Sequence, residues 1–369
     1  MARLRLSLDK LGMTAFALVL VALLTLGGAP RAAAADETLM ILSGAVAPAL
    51  YEVLAIVAEH AGFYKAEHLN VVDQLANSPS VAAQLVATGK GDICSISYEA
   101  VLQGYERGLH LQYFMTKTPR FSNVLAVLDD SPIRTLADFK GANIGEISVG
   151  SAGEVASVLM LEGAGLHKND VTYSAIGVGP QALDALVHKR VDAIAFPYGE
   201  VVPMEVVGNL KMRVFRDPVL KDVPNTGYAA TPQTIQTKAD ALKRFTRAIA
   251  MAAVFVRENP DVAARWFLET AGGPFGDADV RKKAYEFRLL QDDLPGTDIT
   301  NTRIGYLSPP AMQRYAIALA QYGLTSQAVP VSAVVTNQFI AYANDFDRAA
   351  VVRLAKNWPE DAAGARPTP

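Results

Sequence analysis

Short apolar runs alternate with amphipathic stretches along much of the chain. Leu39–Leu42, Leu69–Leu75 and Ile93–Ile96 predict three strands. Between them, one helix follows Pro48 with its apolar residues on one face, and another starts at the N-cap residue Ser78. Short apolar strands joined by amphipathic helices predict a parallel sheet that is covered on both faces.

The same pattern restarts after Asp129 and predicts a second α/β unit of similar size. Its elements, alternating strand and helix, are Asn143–Ile147, Ser151–Ala164, Val171–Ile176, Pro180–His188 and Ala193–Phe196. Beyond Thr231 the pattern is mostly helical. The tail from Pro359 is small, polar and Pro-rich, which predicts disorder.

The N-terminus has the three parts of a secretory signal peptide. Arg3, Arg5 and Lys10 give a positive start, Met13–Leu26 is apolar, and Ala32–Ala35 is a small-residue cleavage site. A retained membrane anchor is the alternative, but the apolar run is shorter than the about 20 residues needed to span a bilayer. We expect cleavage after residue 35. Because no cysteine stands at the boundary to take a lipid, the protein should be free in the periplasm.

Composition and charge exclude several classes of function. The 369 residues include 34 basic and 37 acidic ones, so nothing favours nucleic acid or an anionic membrane. Cys94 is the single cysteine and lies in an apolar run, which predicts a buried hydrophobe and rules out an intrachain disulfide. The five histidines lack the spacing of metal ligands, and no serine lies in a Gly-x-Ser-x-Gly elbow. We therefore expect no catalytic residue, no metal and no cofactor.

Four stretches of the chain carry recognisable motifs: Ala58–Val71, Ala83–Ile93, Asp130–Gly145 and Ala185–Ala193. The first contains A-G-F-Y followed by L-N-V, and the second ends G-K-G-D-I. Together they resemble the nitrate/sulfonate/taurine-type solute-binding proteins, which include carriers of thiamine-pyrimidine precursors. The resemblance covers roughly residues 39–230. His68 departs from the usual glycine, as does the turn at Val187–Lys189.

The resemblance implies an α/β fold, the two-lobed periplasmic binding protein fold of type II. Each lobe would be a mostly parallel sheet flanked by helices, and the chain would cross between lobes near Asn123–Leu128 and near Tyr228–Thr231. After the signal peptide (1–35), residues 36–125 plus 229–358 would form lobe one, residues 126–228 lobe two, and residues 359–369 a disordered tail. Such proteins close on their ligand about a hinge.

The candidate ligand-binding residues follow predicted strands, because ligands of open α/β sheets bind at the carboxyl ends of strands. They are Ser43, Gly44, Ser97, Tyr98, Ser148, Gly150, Ser151, Phe196 and Tyr198. If the ligand is an anion, the free amides near Gly150 would face its charge. The alternatives are plain turns, a helix cap at Ser151, and core positions for the two aromatic residues Phe196 and Tyr198.

Two further features are ambiguous. Lys117 and Arg120 precede the first crossing, where either a cation at the cleft or a solvated surface charge is possible. Gly177–Ala182 matches the dinucleotide fingerprint in part, but no acidic residue follows a strand about 20 positions later. A contact with the cleft ligand is the other functional interpretation of this turn.

The predicted function is that of a periplasmic solute-binding component of an ABC transporter. Acting as a monomer, it would capture a small organic ligand, expected to be an anion, and deliver it to an inner-membrane ABC permease and its ATPase. The resemblance leaves nitrate, sulfonates, aromatic acids and pyrimidines open. The alternatives are a binding protein that serves a sensor, a hydrolase with an unrecognised serine, and a pyrimidine-precursor synthase on the same fold. The resemblance gives that synthase iron and a cysteine-rich motif, against which the single cysteine and the export signal argue.

Overall fold

The computed structural model describes residues 36–45, 47–148, 151–217, 220, 223–224, 226–290 and 303–359. The predicted signal peptide, Gly150 and the tail from residue 360 lie outside the described residues.

Ten strands of the described chain form two five-stranded sheets. They are β1 (Glu37–Ser43), β2 (Leu69–Leu75), β3 (Ile93–Ser97), β4 (Gln112–Thr116), β5 (Asn123–Leu128), β6 (Asn143–Glu146), β7 (Thr172–Ala175), β8 (Ala193–Pro197), β9 (Met212–Phe215) and β10 (Thr226–Ala230). Three short 3₁₀ turns, Leu50–Glu52, Leu136–Phe139 and Lys168–Asp170, lie between them.

Helices cover both sheets. They are α1 (Val53–His60), α2 (Phe63–Ala66), α3 (Pro79–Ala87), α4 (Tyr98–Glu106), α5 (Ala152–Gly163), α6 (Pro180–Val187), α7 (Tyr198–Gly208), α8 (Pro232–Thr237), α9 (Ala239–Glu258), α10 (Pro260–Ala271), α11 (Asp277–Leu289), α12 (Pro309–Gln321), α13 (Val331–Val334), α14 (Ile340–Ala343) and α15 (Arg348–Lys356).

The two sheets repeat one topology. The strand order is β2-β1-β3-β10-β4 in the first sheet and β7-β6-β8-β5-β9 in the second. In the first sheet β1 is parallel to β2 and β3, and only β10 runs antiparallel to its neighbours. In the second sheet β5 is the antiparallel strand. Each sheet is therefore mostly parallel, as predicted.

The chain changes sheet twice, between β4 and β5 and between β9 and β10. These crossings fall at residues 117–122 and 216–225, several residues before the predicted ones. The predicted crossing stretches lie within β5 and β10 instead. Both are inner strands with neighbours on each side, and β5 is almost wholly buried. An apolar run of this kind does not show whether it joins the old sheet or opens the new one.

The C-terminal helices contact both halves of the molecule. The long amphipathic helix α9 packs on α1, α14 and α15, because its apolar face is buried against the first sheet. Helix α11 contacts α7, and α12 contacts α5, both of which belong to the second half. Residues from Glu37 onward form one compact unit. Within the described residues, no helix has both the length and the apolar character needed to cross a membrane.

Candidate functional site

Each sheet has a topological switch point, which is the position where ligands of α/β folds bind. The connection from β1 leads to β2 on one side, and the next strand, β3, lies on the other side of β1. In the second sheet β6 lies between β7 and β8 in the same way. A ligand is therefore expected at the carboxyl ends of β1, β3, β6 and β8. These are the strand ends that the sequence indicated.

At the end of β1, the Ser43 hydroxyl and the Gly44 amide both donate hydrogen bonds to other groups of the protein. Ser43 is 1% exposed, and its Oγ donates a hydrogen bond to Asp73 Oδ1 over 2.8 Å. The amide of Gly44 donates to the carbonyl of Ser95 over 3.0 Å. A Cβ at position 44 would lie 2.7 Å from Pro79 Cα, so only glycine allows the start of α3 to approach this closely.

At the end of β3, the strand passes directly into α4. Ser97 is partly exposed at the N-cap position of this helix. Tyr98 is completely buried, with its ring packed against those of Tyr113 and Tyr315 at centroid distances of 5.8 and 6.4 Å. Its hydroxyl has no hydrogen-bond partner among the described residues. Of this pair, Ser97 reaches the surface, whereas Tyr98 lies in the core.

At the end of β6, Ser151 acts as a helix cap. Its Oγ accepts a hydrogen bond from the amide of Glu154 over 3.2 Å and donates one to Glu146 Oε2 over 3.2 Å. Ser148 is exposed. The capping alternative is thus what the structure shows for Ser151, although capping does not prevent a ligand contact.

Two carboxyl groups flank this loop, one at the end of β6 and one in the first turn of α5. Glu146 is the last residue of β6 and is 2% exposed. Burial raises the pKa of Glu146 to about 7, and the nearby Glu154 carboxylate adds to the shift. Glu154 is paired with Lys168, whose Nζ lies 2.6 Å from Glu154 Oε1. Glu146 is therefore only partly ionised near neutral pH, and an anionic ligand beside it would favour its protonated form.

At the end of β8, Phe196 and Tyr198 have different surroundings. Phe196 is completely buried in the core of the second half, which matches the alternative that the sequence left open. Tyr198 is partly exposed, and the guanidinium carbon of Arg216 lies 4.4 Å from the centre of its ring. The amide of Tyr198 donates to the carbonyl of Ser122 in the first crossing over 2.7 Å.

Sequence reasoning missed a buried ion pair near the end of β1. Lys117 is 0% exposed, and its Nζ donates hydrogen bonds to Glu52 Oε1 and to Ser95 Oγ, each over 2.6 Å. The solvated alternative is therefore wrong for Lys117, while Arg120 is exposed. The available signal was Glu52 itself, a carboxylate among the apolar residues that begin the first helical stretch.

The two halves touch beside this ion pair. Tyr51 precedes Glu52, and Gly199 lies in the first turn of α7. A Cβ at Gly199 would be 3.0 Å from the Tyr51 ring. The strand-end loops of the two sheets thus meet at a close contact, and a molecule held there would contact both halves. Among the described residues, no cluster of three or more His, Cys, Asp or Glu side chains is arranged to hold a metal.

A family model described as NMT1/THI5 like matches residues 51–263, more than half of the chain. The chain belongs to this family. Among curated relatives of this NMT1/THI5-like protein is the riboflavin-binding protein RibY of Chloroflexus aurantiacus. RibY is 25% identical over 293 residues, which are 77% of this chain and 81% of the relative.

Solved structures share the fold of this NMT1/THI5-like protein. The periplasmic aliphatic sulphonate binding protein SsuA from Escherichia coli has a TM-score of 0.63 at 17% identity, covering 82% of this chain and 92% of that one. The desulfurization enzyme DSZB has a TM-score of 0.54 at 15% identity, covering 83% and 98%. These likenesses confirm the predicted two-lobed type II fold. The family match also confirms the resemblance to the protein group that includes carriers of thiamine-pyrimidine precursors.

Proposed function

We propose that this NMT1/THI5-like protein is the periplasmic solute-binding component of an ABC importer. The observation that carries the proposal is the pair of switch points, one in each sheet, which meet where Tyr51 contacts Gly199. Two crossings join the halves, so that a ligand between them would bias a hinge. The predicted signal peptide supports export, and the fold of the periplasmic SsuA supports the same compartment.

We further propose that the ligand is an uncharged heterocycle of the riboflavin type. Its support is the relationship to RibY together with the charges at the strand ends. Glu146 and Glu154 stand in one half, and Asp73 stands in the other. Lys117 is buried but already paired with Glu52. The organic anion that the sequence led us to expect would be repelled by the ionised fractions of Glu146 and Asp73, whose pKa values burial raises to about 7 and about 6. A neutral hydrogen-bonding ligand would not be repelled.

Binding rather than catalysis is supported by the cysteine. Cys94 is 0% exposed, and burial raises the pKa of its thiol to about 12. A buried, protonated thiol is a poor nucleophile. The likeness to DSZB therefore concerns the fold, and the Cys94 thiol is not placed to act as a nucleophile.

The test is a titration of the protein with riboflavin, taurine, an alkanesulfonate and nitrate, followed by chromatography of the recovered ligand. We expect saturable one-to-one binding of riboflavin with a Kd near or below 1 μM, which corresponds to about 8 kcal/mol, and recovery of the ligand unchanged. Tighter binding of a sulfonate would overturn the ligand class, and a converted ligand would overturn the binding role. Uptake assays in cells that lack the protein then test delivery to a permease.

A further inference from the structure

Lobe one, the half built on the first sheet, includes β10 and therefore Tyr228. Its buried polar atoms without a hydrogen-bond partner among the described residues include Glu52 Oε2, Tyr64 Oη and Tyr228 Oη. Glu52 is 8% exposed, Tyr64 2% and Tyr228 0%. Nearly all buried polar groups in folded proteins are hydrogen-bonded, because leaving one unsatisfied costs about 1–3 kcal/mol. Three such atoms in one lobe therefore point to a partner from outside the chain.

The three atoms belong to one cluster. Glu52 Oε1 holds Lys117, whose Nζ lies 5.3 Å from the centre of the Tyr228 ring. The rings of Tyr64 and Tyr228 both pack on Phe245, with centroid distances of 5.9 and 5.0 Å. We call the three residues that carry these atoms, together with Asp73, whose charge acts on both phenols, the lobe-one polar cluster.

Electrostatics also ties these groups together. Burial raises the pKa of the Tyr64 phenol well above its ordinary value, and the charges of Asp73 and Glu52 add to the shift. Burial does the same for Tyr228, again with contributions from Glu52 and Asp73. Both phenols therefore stay protonated in ordinary buffers, so each can donate a hydrogen bond.

The cluster adjoins the strand-end site. Asp73 is exposed, and it accepts the hydrogen bond from Ser43 at the end of β1. Glu52 follows Tyr51, which contacts Gly199 of the second lobe. Solvent therefore reaches the cluster at Asp73, and the interface between the lobes lies one residue from Glu52.

The unpaired atoms define the chemistry of what would bind. Two phenols offer donors, and a carboxylate oxygen offers an acceptor. A sulfonate or nitrate accepts only, and its charge would face Glu52 and Asp73. An imide edge, with one N–H between two carbonyls, supplies one donor and two acceptors. We propose that the lobe-one polar cluster is the subsite for an imide or carboxamide edge of the ligand; this rests on the proposed function.

The test compares two flavins on three variants. Riboflavin carries the imide edge, and 3-methylriboflavin has its imide N–H replaced by N–CH₃. Tyr64→Phe and Tyr228→Phe each remove one hydroxyl and keep the ring, so they remove an unsatisfied group without opening a cavity. Tyr285→Phe is the matched control, because Tyr285 is half exposed on α11, far along the chain from the cluster. Circular dichroism and thermal unfolding of each variant verify that it folds.

We expect wild type to bind 3-methylriboflavin at least about 10-fold more weakly than riboflavin. Each cluster variant should lose about 2- to 12-fold in riboflavin affinity, the effect of one neutral hydrogen bond, and Tyr285→Phe should match wild type. If wild type binds both flavins equally and the cluster variants bind riboflavin like wild type, the cluster holds ordered water only and the subsite is wrong while the function stands. If wild type fails to bind riboflavin at all, the proposed ligand class is wrong, and the subsite assigned to its edge falls with it.

Discussion

Glu146 is the residue whose chemistry depends most on its surroundings. Its carboxyl group ends β6, and burial together with the neighbouring Glu154 raises its pKa to about 7 from an ordinary value of 4.5, although the hydrogen bond from Ser151 acts in the opposite direction. A raised pKa means that the folded protein binds the proton more tightly than the unfolded chain does. The resulting stabilisation is present below pH 4.5 and is lost as the pH rises through about 7.

Glu146→Gln should therefore change how stability depends on pH. Between pH 5 and pH 7.5, wild type should lose about 2 kcal/mol more unfolding free energy than the variant, because glutamine keeps the bond from Ser151 and carries no charge. Urea denaturation at both pH values measures this. Glu269→Gln, at an exposed position on α10, is the control and should follow wild type. Parallel pH profiles for Glu146→Gln and wild type would contradict the assigned environment.

At the scale of elements, prediction succeeded where a boundary residue carries its own signal. Strand β2 has the predicted bounds, and Ser78 and Ser151 cap the helices they were expected to begin. Helices α4 and α7 were missed because each starts on the residue after a strand, with no turn between them.

The buried ion pair between Glu52 and Lys117 was not predicted from the sequence. The two residues lie 65 positions apart, and local periodicity carries no information about pairs so distant along the chain. The strand-end rule indicated one edge of each sheet, but it did not separate exposed residues such as Ser148 from packing residues such as Gly44 and Phe196.

Two glycines of α5 should respond oppositely to the same change. A Cβ at Gly153 would lie 1.9 Å from the carbonyl oxygen of Ala195 in β8, whereas a Cβ at Gly163 meets nothing within 4 Å. Gly153→Ala must push the helix off the sheet and should cost about 1–3 kcal/mol or more. Gly163→Ala should be neutral or stabilise by up to about 1 kcal/mol, since alanine favours the helix. Denaturant unfolding of the two variants measures the contrast, and equal effects would show that α5 does not pack this closely on β8.

At the scale of the whole molecule, Lys117 links both crossings to the site. Its amide donates to the carbonyl of Thr226 over 2.7 Å, and the amide of Thr226 donates to Thr118 Oγ1 over 2.9 Å. These bonds join the end of one crossing to the start of the other. The Lys117 side chain then reaches Glu52, beside the contact between the lobes. We therefore expect a change at Glu52 to affect the closure of the two lobes that we propose.

Lys117→Met should cost about 3–5 kcal/mol of stability, because it leaves the Glu52 carboxylate buried without its cation. Adding Glu52→Gln should recover most of that loss, since the uncompensated charge is then gone. Arg120→Met, at an exposed cation of the same crossing, should change stability by less than about 0.5 kcal/mol. Denaturant unfolding of wild type, the two single variants and the double variant measures these differences in stability. A double variant no more stable than Lys117→Met would show that the buried charge is not the cause.

The proposed ligand lies between the strand ends of the two sheets. A crystal structure of the protein grown with riboflavin tests this position. We expect electron density for the flavin between the lobes, in contact with residues after β1 or β3 in the first sheet and after β6 or β8 in the second. Flavin density that touches one lobe alone, or that lies on an outer surface away from these strand ends, would contradict it.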